Sequence, residues 1–251
     1  MRILHLMAPL LLALLVGCSS LQEKDDSALT ADELYSRAKT ALDTRDYEMA
    51  ITHFENMERK FPFGVYAQHA QLNSAYAYYK FKEPESAIAN ADRFIKTYPR
   101  HEHVDYAYYL RGIARFNQDQ DSLDRMLDLD ITAREPGSIE GSFRYFKELI
   151  ERFPNSRYSA DARQRMIHLR NLLAEYELHV ARYYMSRNTF IAAANRAKYI
   201  IETLPRTPSI PEALTIMADA YRQLGLTSLA DDALRVRKLN FPDYPPKKAA
   251  M

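Results

Sequence analysis

Cys18 is the only cysteine in this chain of 251 residues, and a thiol is the most reactive group its composition offers. It follows Leu10-Leu11-Leu12-Ala13-Leu14-Leu15-Val16-Gly17, an apolar run that begins after the positive start Met1-Arg2. A basic start, an apolar core and a narrowing to small side chains form the layout of an export signal. The other candidates for chemistry are weaker. His101 and His103 flank Glu102, but no third ligand is suggested nearby, so a metal pair is not expected. Asp119, Asp121, Asp124, Asp128 and Asp130 resemble a calcium loop only loosely, since the central glycine and terminal glutamate of such loops are missing. The six glycines form no phosphate loop, and there is neither a G-x-S-x-G elbow nor an H-E-x-x-H pair. This inventory predicts a protein that is not an enzyme and holds no cofactor or metal.

Tyrosine and arginine suggest binding instead. Tyr66, Tyr76, Tyr78, Tyr79, Phe81, Tyr106, Tyr108 and Tyr109 crowd two predicted helices. Helical spacing places Tyr76 and Tyr79 on one face and turns Tyr78 toward a neighbour. So many phenols cannot all bury their hydroxyls. A groove built on Tyr66, Tyr76, Tyr79 and Tyr109, rimmed by Lys80, Asp105 and Arg111, suits a peptide ligand. A second cluster, Tyr183, Tyr184, Arg187, Asn188 and Arg196, surrounds a predicted helix turn and combines the residue types favoured as interface anchors.

The elements that position these residues follow a repeat. Ala, Leu, Tyr, Arg and Glu dominate with few glycines, which favours helix throughout. Five apolar-proline pairs end helices: Phe61-Pro62, Tyr98-Pro99, Phe153-Pro154, Leu204-Pro205 and Phe241-Pro242. Ala38 and Ala50 precede Pro62 by 24 and 12 residues, and Ala75 and Ala87 precede Pro99 likewise. Ala181 and Ala193 do so before Pro205, and Ala218 and Ala230 before Pro242. Phe54, Ala91, Ala197 and Leu234 lie eight residues before their prolines. This is the tetratricopeptide pattern, in which small residues let antiparallel helices approach closely. In the third copy Gly112 and Ser142 take the small positions, separated by 18 residues more than elsewhere. About 17 further residues precede the fourth copy, and no glycine or proline breaks the run from Arg157 to Leu204. They are expected to extend its first helix. The predicted fold is all-α, a tetratricopeptide-repeat superhelix of about five helix pairs.

The expected organisation is a signal peptide over 1–17 and a lipidated N-terminus with a polar tether over 18–30. Repeats 1–3 fill 31–156, with the insertion near 118–137. Repeats 4–5 fill 157–242, and 243–251 is a tail. Of 34 basic residues, Arg2 lies in the signal, which leaves 33 against 33 acidic ones. That balance gives no long-range attraction for nucleic acid, and none is expected as a partner. One cysteine allows no internal disulfide, and no later stretch approaches the 18 apolar residues of a membrane span.

Leu15-Val16-Gly17-Cys18 resembles the lipobox of bacterial lipoproteins. The resemblance implies a diacylglycerol and an N-acyl chain on Cys18, and Ser19 suggests sorting to the outer membrane. Phe61-Pro62-Phe63-Gly64, the run from Tyr66 to Lys80, Asp92-Arg93-Phe94-Ile95 and Asp105-Tyr106 resemble the BamD/ComL family. So do Phe153-Pro154-Asn155-Ser156-Arg157-Tyr158, Leu173-Ala174-Glu175-Tyr176-Glu177 and Ala194-Asn195-Arg196. These are tetratricopeptide lipoproteins of the outer-membrane β-barrel assembly machine. The resemblance implies a lipid-anchored scaffold on the periplasmic side of the outer membrane. Its C-terminal repeats, around Tyr183 to Arg196, would dock on the periplasmic domains of BamA, and BamC and BamE would bind its body. Its N-terminal repeats, around Tyr66 to Arg111, would meet the C-terminal signals of incoming barrel proteins. The alternative is a pilotin-like lipoprotein for secretin or type IV pilus assembly, which should lack the insertion and the extended fourth repeat.

Overall fold

The computed structural model describes residues 29–124 and 137–244. Cys18, the signal peptide, nearly all of the tether, most of the insertion and the end of the tail lie outside them. Ten helices and no strands are found among the described residues. They run α1 (Ala31–Asp43), α2 (Tyr47–Lys60), α3 (Val65–Lys80), α4 (Pro84–Thr97) and α5 (Val104–Asp124). Then follow α6 (Gly137–Arg152), α7 (Ser159–Ser186), α8 (Phe190–Thr203), α9 (Ile210–Gln223) and α10 (Thr227–Asn240). Each helix packs chiefly on those before and after it, which is the quasi-linear logic of a repeat array. Five antiparallel pairs result.

Helix ends follow from local chemistry. Thr30 caps α1 in a reciprocal box: its hydroxyl accepts from Glu33 N at 3.3 Å, and its own amide donates to Glu33 Oε2 at 2.9 Å. Asp46 caps α2 by accepting from Met49 N at 3.1 Å. Pro84 and Pro211 occupy first turns, where a missing N–H costs nothing. Phe61, Tyr98, Leu204 and Phe241 leave the helical region with ψ between 57° and 72°, because a proline follows each.

The turns within pairs repeat as well. Arg45, Lys82, Asn188 and Gly225 each stand seven residues after the first small position of their repeat. All four are left-handed, with φ of 66°, 67°, 56° and 75°. The next amide reaches back to the helix in each case, as in Asp46 N to Ala41 O at 2.9 Å and Leu226 N to Tyr221 O at 2.9 Å. That is a Schellman closure, here made mostly without glycine.

The eight alanines of the repeat frame are all fully buried. In the third pair Gly112 and Ser142 are buried in their place. Phe146, eight residues before Pro154, lies against Gly112 so closely that a Cβ there would fall 2.4 Å from its ring. Gly112→Ala is therefore expected to destabilise the array by about 1–2 kcal/mol. Overpacking of about 1–3 kcal/mol outweighs the gain of about 1 kcal/mol from helix propensity. Urea unfolding read by circular dichroism checks this, and an unchanged midpoint would refute it.

The single helix α7 runs 28 residues, as expected from the absence of glycine and proline. Its first half, with Ala162 and Leu169, completes the core of α3 to α6. Its second half, with Ala174, Leu178 and Ala181, opens the core shared with α8 and α9. One rod thus closes the N-terminal repeats and starts the C-terminal ones.

Candidate functional site

The first helices of the pairs carry most of the predicted groove. An open groove of about 630 Å³ is bounded by Lys39 and Asp43 on α1, Asn73, Tyr76 and Lys80 on α3, and Tyr106 on α5. Tyr76 and Lys80 meet there as the sequence suggested. Lys39 and Asp43 were missed, although the 37-residue shift from Ala38 to Ala75 maps them onto Tyr76 and Lys80. Lys39 and Asp43 pair along their helix. Tyr106 is half-buried, and burial beside Tyr76 and Tyr158 pushes its phenol far above the usual range. Asn73 Nδ2 donates to Tyr35 Oη at 3.1 Å, which holds the groove wall.

The remaining predicted groove residues are spread along this face with their polar atoms engaged. Tyr66 is exposed at the start of α3 and donates to Asp32 Oδ1 at 2.7 Å. Tyr79 stands 6.4 Å from Tyr76, ring to ring, and its hydroxyl accepts from Asn117 Nδ2 at 2.6 Å. Asp105 accepts from Ser156 Oγ at 2.6 Å and from Tyr106 N at 2.8 Å. Tyr109 stacks on Tyr158 at 4.9 Å and donates to Asp161 Oδ2 at 2.7 Å. Burial first, then that carboxylate, pushes the Tyr109 phenol up to about 12. At Asp161 burial raises the carboxyl pKa, but hydrogen bonds from Arg165 and Tyr109 outweigh it and hold the group below its ordinary value.

Arg111 does not belong to the groove. Its side chain is only 8% exposed and forks between two second helices, to Asp92 on α4 at 2.7 Å and Glu148 on α6 at 2.9 Å. The guanidinium lies between the rings of Tyr108 and Tyr145, at 4.6 and 4.8 Å. Residue type alone does not separate a cation that contacts a ligand from one clamped within its own chain. Arg111 meets Tyr108 and Tyr145 rather than the groove tyrosines Tyr66, Tyr76, Tyr79 and Tyr109, and forms an internal clamp with them.

The C-terminal cluster divides in the same way. Tyr183 and Arg187 are exposed, and Asn188 forms the left-handed turn beside them. Tyr184 packs on the core of α7 to α9. Arg196 Nη1 binds Glu177 at 3.1 and 3.3 Å, and that glutamate is 4% exposed. Arg196 thus neutralises a buried carboxylate, so its charge is not free for a partner. Ile191 is exposed next to this turn and was missed. The equivalent positions hold Glu48, Glu85, Glu140 and Ser228, so an isoleucine there was the available signal.

His101 Nδ1 accepts from His103 N at 3.1 Å, which ties that nitrogen into the turn. Among the described residues no group of three His, Cys, Asp or Glu is arranged to hold a metal ion. No described helix is long and apolar enough to cross a membrane.

Residues 27–236 match the model of a family described as YfiO, outer membrane lipoprotein. The outer membrane protein assembly factor BamD of Xylella fastidiosa (strain Temecula1) is 37% identical over 245 residues, 96% of this chain and 84% of that one. The BamD of Neisseria meningitidis serogroup B (strain MC58) is 42% identical over 224 residues, 88% of this chain and 84% of its own. Among solved structures, the TPR2AB domain of yeast Sti1 aligns over 85% of this chain and 78% of its own. Its sequence identity is 15% and its TM-score 0.45.

Proposed function

The chain belongs to the YfiO family of outer membrane lipoproteins, and from that premise we propose how its surfaces divide the work. It is an outer membrane protein assembly factor, associated with the outer membrane and with the β-barrel assembly machinery. It acts as a scaffold without catalytic turnover. Cys18 carries the diacylglycerol and N-acyl chains that hold it on the periplasmic side. The groove of Tyr76, Lys80 and Tyr106 receives the C-terminal signals of β-barrel proteins. The exposed turn of Tyr183, Arg187 and Ile191 faces the periplasmic domains of BamA, and BamC and BamE bind the body between.

The observation that carries this reading is the groove itself. Tyrosines and the cation Lys80 share one open trough of about 630 Å³, beside the Lys39–Asp43 pair. An extended peptide with a free C-terminal carboxylate finds rings to pack on and a positive charge within it. At the other surface an exposed tyrosine, arginine and isoleucine combine apolar area with a planar cation.

Photo-crosslinkers placed at Tyr76 and at Tyr183 in intact envelopes test the division. Tyr76 is expected to capture a nascent barrel protein through its C-terminal strand, and Tyr183 to capture BamA. BamA at position 76 with substrate at position 183 would overturn it, as would a secretin recovered at either.

A further inference from the structure

We propose that the turn Phe63-Gly64-Val65, between α2 and α3, is a membrane-contacting element that inserts its two apolar side chains into the outer part of the bilayer. This rests on the reading of Cys18 as a lipid-bearing residue.

The repeat supplies its own control. The residue after each of the five helix-ending prolines is Phe63, Arg100, Asn155, Arg206 and Asp243. All five are exposed. Three residues after the first four prolines stand Val65, Glu102, Arg157 and Pro208. Only the first turn puts apolar side chains at both positions. Phe63 is 88% exposed and Val65 63%, so neither is explained by packing. Gly64, at φ 100°, has nothing within 4 Å of where a Cβ would stand, so the turn is open to solvent at that point. Two large apolar groups held in water at polar positions of a repeat mark a contact surface.

Its place in the chain says which surface covers it. Lys60 Nζ, just before the turn, donates to Leu29 O at 2.7 Å. Tyr66 Oη, just after it, donates to Asp32 Oδ1 at 2.7 Å. Both flanks are therefore fastened to the segment where the tether joins the array. From Leu29 back to Cys18 are eleven residues, which span at most about 40 Å. Of the five turns, this one is tied to the tether. Arg59 and Lys60 are exposed beside it, and the Lys60 ammonium lies 5.1 Å from the Phe61 ring. Basic groups and aromatic rings behind an apolar tip match the headgroup level of a membrane surface. An anchored chain keeps the turn at high effective concentration there, so even weak partition suffices to hold it.

The chain contains no tryptophan, so Phe63→Trp introduces a single indole as a probe. The lipidated full-length variant is reconstituted in vesicles of phosphatidylethanolamine and phosphatidylglycerol, with and without bromine on the acyl chains. Leu239→Trp, at a position 75% exposed on α10, is the control. The expected result is blue-shifted emission from the Phe63→Trp form, quenched by bromine at a depth of about 5–10 Å, with the Leu239→Trp form unquenched. Flotation of each variant with the vesicles reads the anchor separately. Flotation with unquenched emission overturns the turn proposal alone. Blue-shifted emission without bromine quenching assigns the turn to a protein contact and also overturns it. Failure to float overturns the lipid reading, and this inference falls with it.

Discussion

Arg111→Ala will cost the array about 3 kcal/mol, the largest loss expected from any exchange at the predicted site residues. Removing one partner of a buried ion pair costs about 3–5 kcal/mol when both charges are buried. Here the guanidinium is buried, while Asp92 and Glu148 are 47% and 34% exposed, so solvent recovers part of that. Two stacked tyrosines add about 0.5–1 kcal/mol each. Arg111→Lys will recover less than half, because an ammonium cannot fork to two carboxylates or stack between rings. Urea unfolding measures the loss, and hydrogen exchange should localise it to α4, α5 and α6. A change under 1 kcal/mol would place the arginine outside the load of the fold. Peptide capture by an Arg111 variant would therefore report unfolding before recognition, whereas Lys80→Ala leaves the core intact and tests the groove directly.

Arg196→Glu will lower stability by about 2–3 kcal/mol and will reduce partner binding for that reason alone. The new carboxylate would stand where the guanidinium now contacts both oxygens of buried Glu177. Like charges this close, one of them desolvated, repel strongly, although the exposure of position 196 moderates the cost. Arg196→Gln combined with Glu177→Gln should restore most of the loss, since two amides can hydrogen-bond without net charge. Thermal melting of the single and double variants checks this. An unperturbed Arg196→Glu protein that has lost its partner would restore arginine to the docking surface. Tyr183→Ala is the clean probe, because its exposed ring supports no core and should change stability by less than about 0.5 kcal/mol.

These two arginines show where legibility stopped. Both have the residue type of an interface anchor, and both are engaged, but with acidic residues of their own chain. Nothing in the spacing says that Arg111 turns toward α4 and α6 and away from Tyr76. That depends on the rotation of α5 against its neighbours, where Phe146 lies directly against Gly112. Ile191 and Phe63 had a readable signal, because each breaks a polar position of the repeat. Lys39 and Asp43 were readable too, once the 37-residue shift is applied to the groove.

The sequence by itself determined the helices, their pairing and the long rod of α7. Proline, small residues and the absence of breakers act within one or two turns of chain, and their spacing survives as a pattern. It also determined the family, through motifs that run the length of the array. Tertiary structure alone decided which tyrosines and cations face the open groove and which close the core. A charged or aromatic side chain satisfies its hydrogen bonds equally well in either place, and only the angle between helices chooses between them.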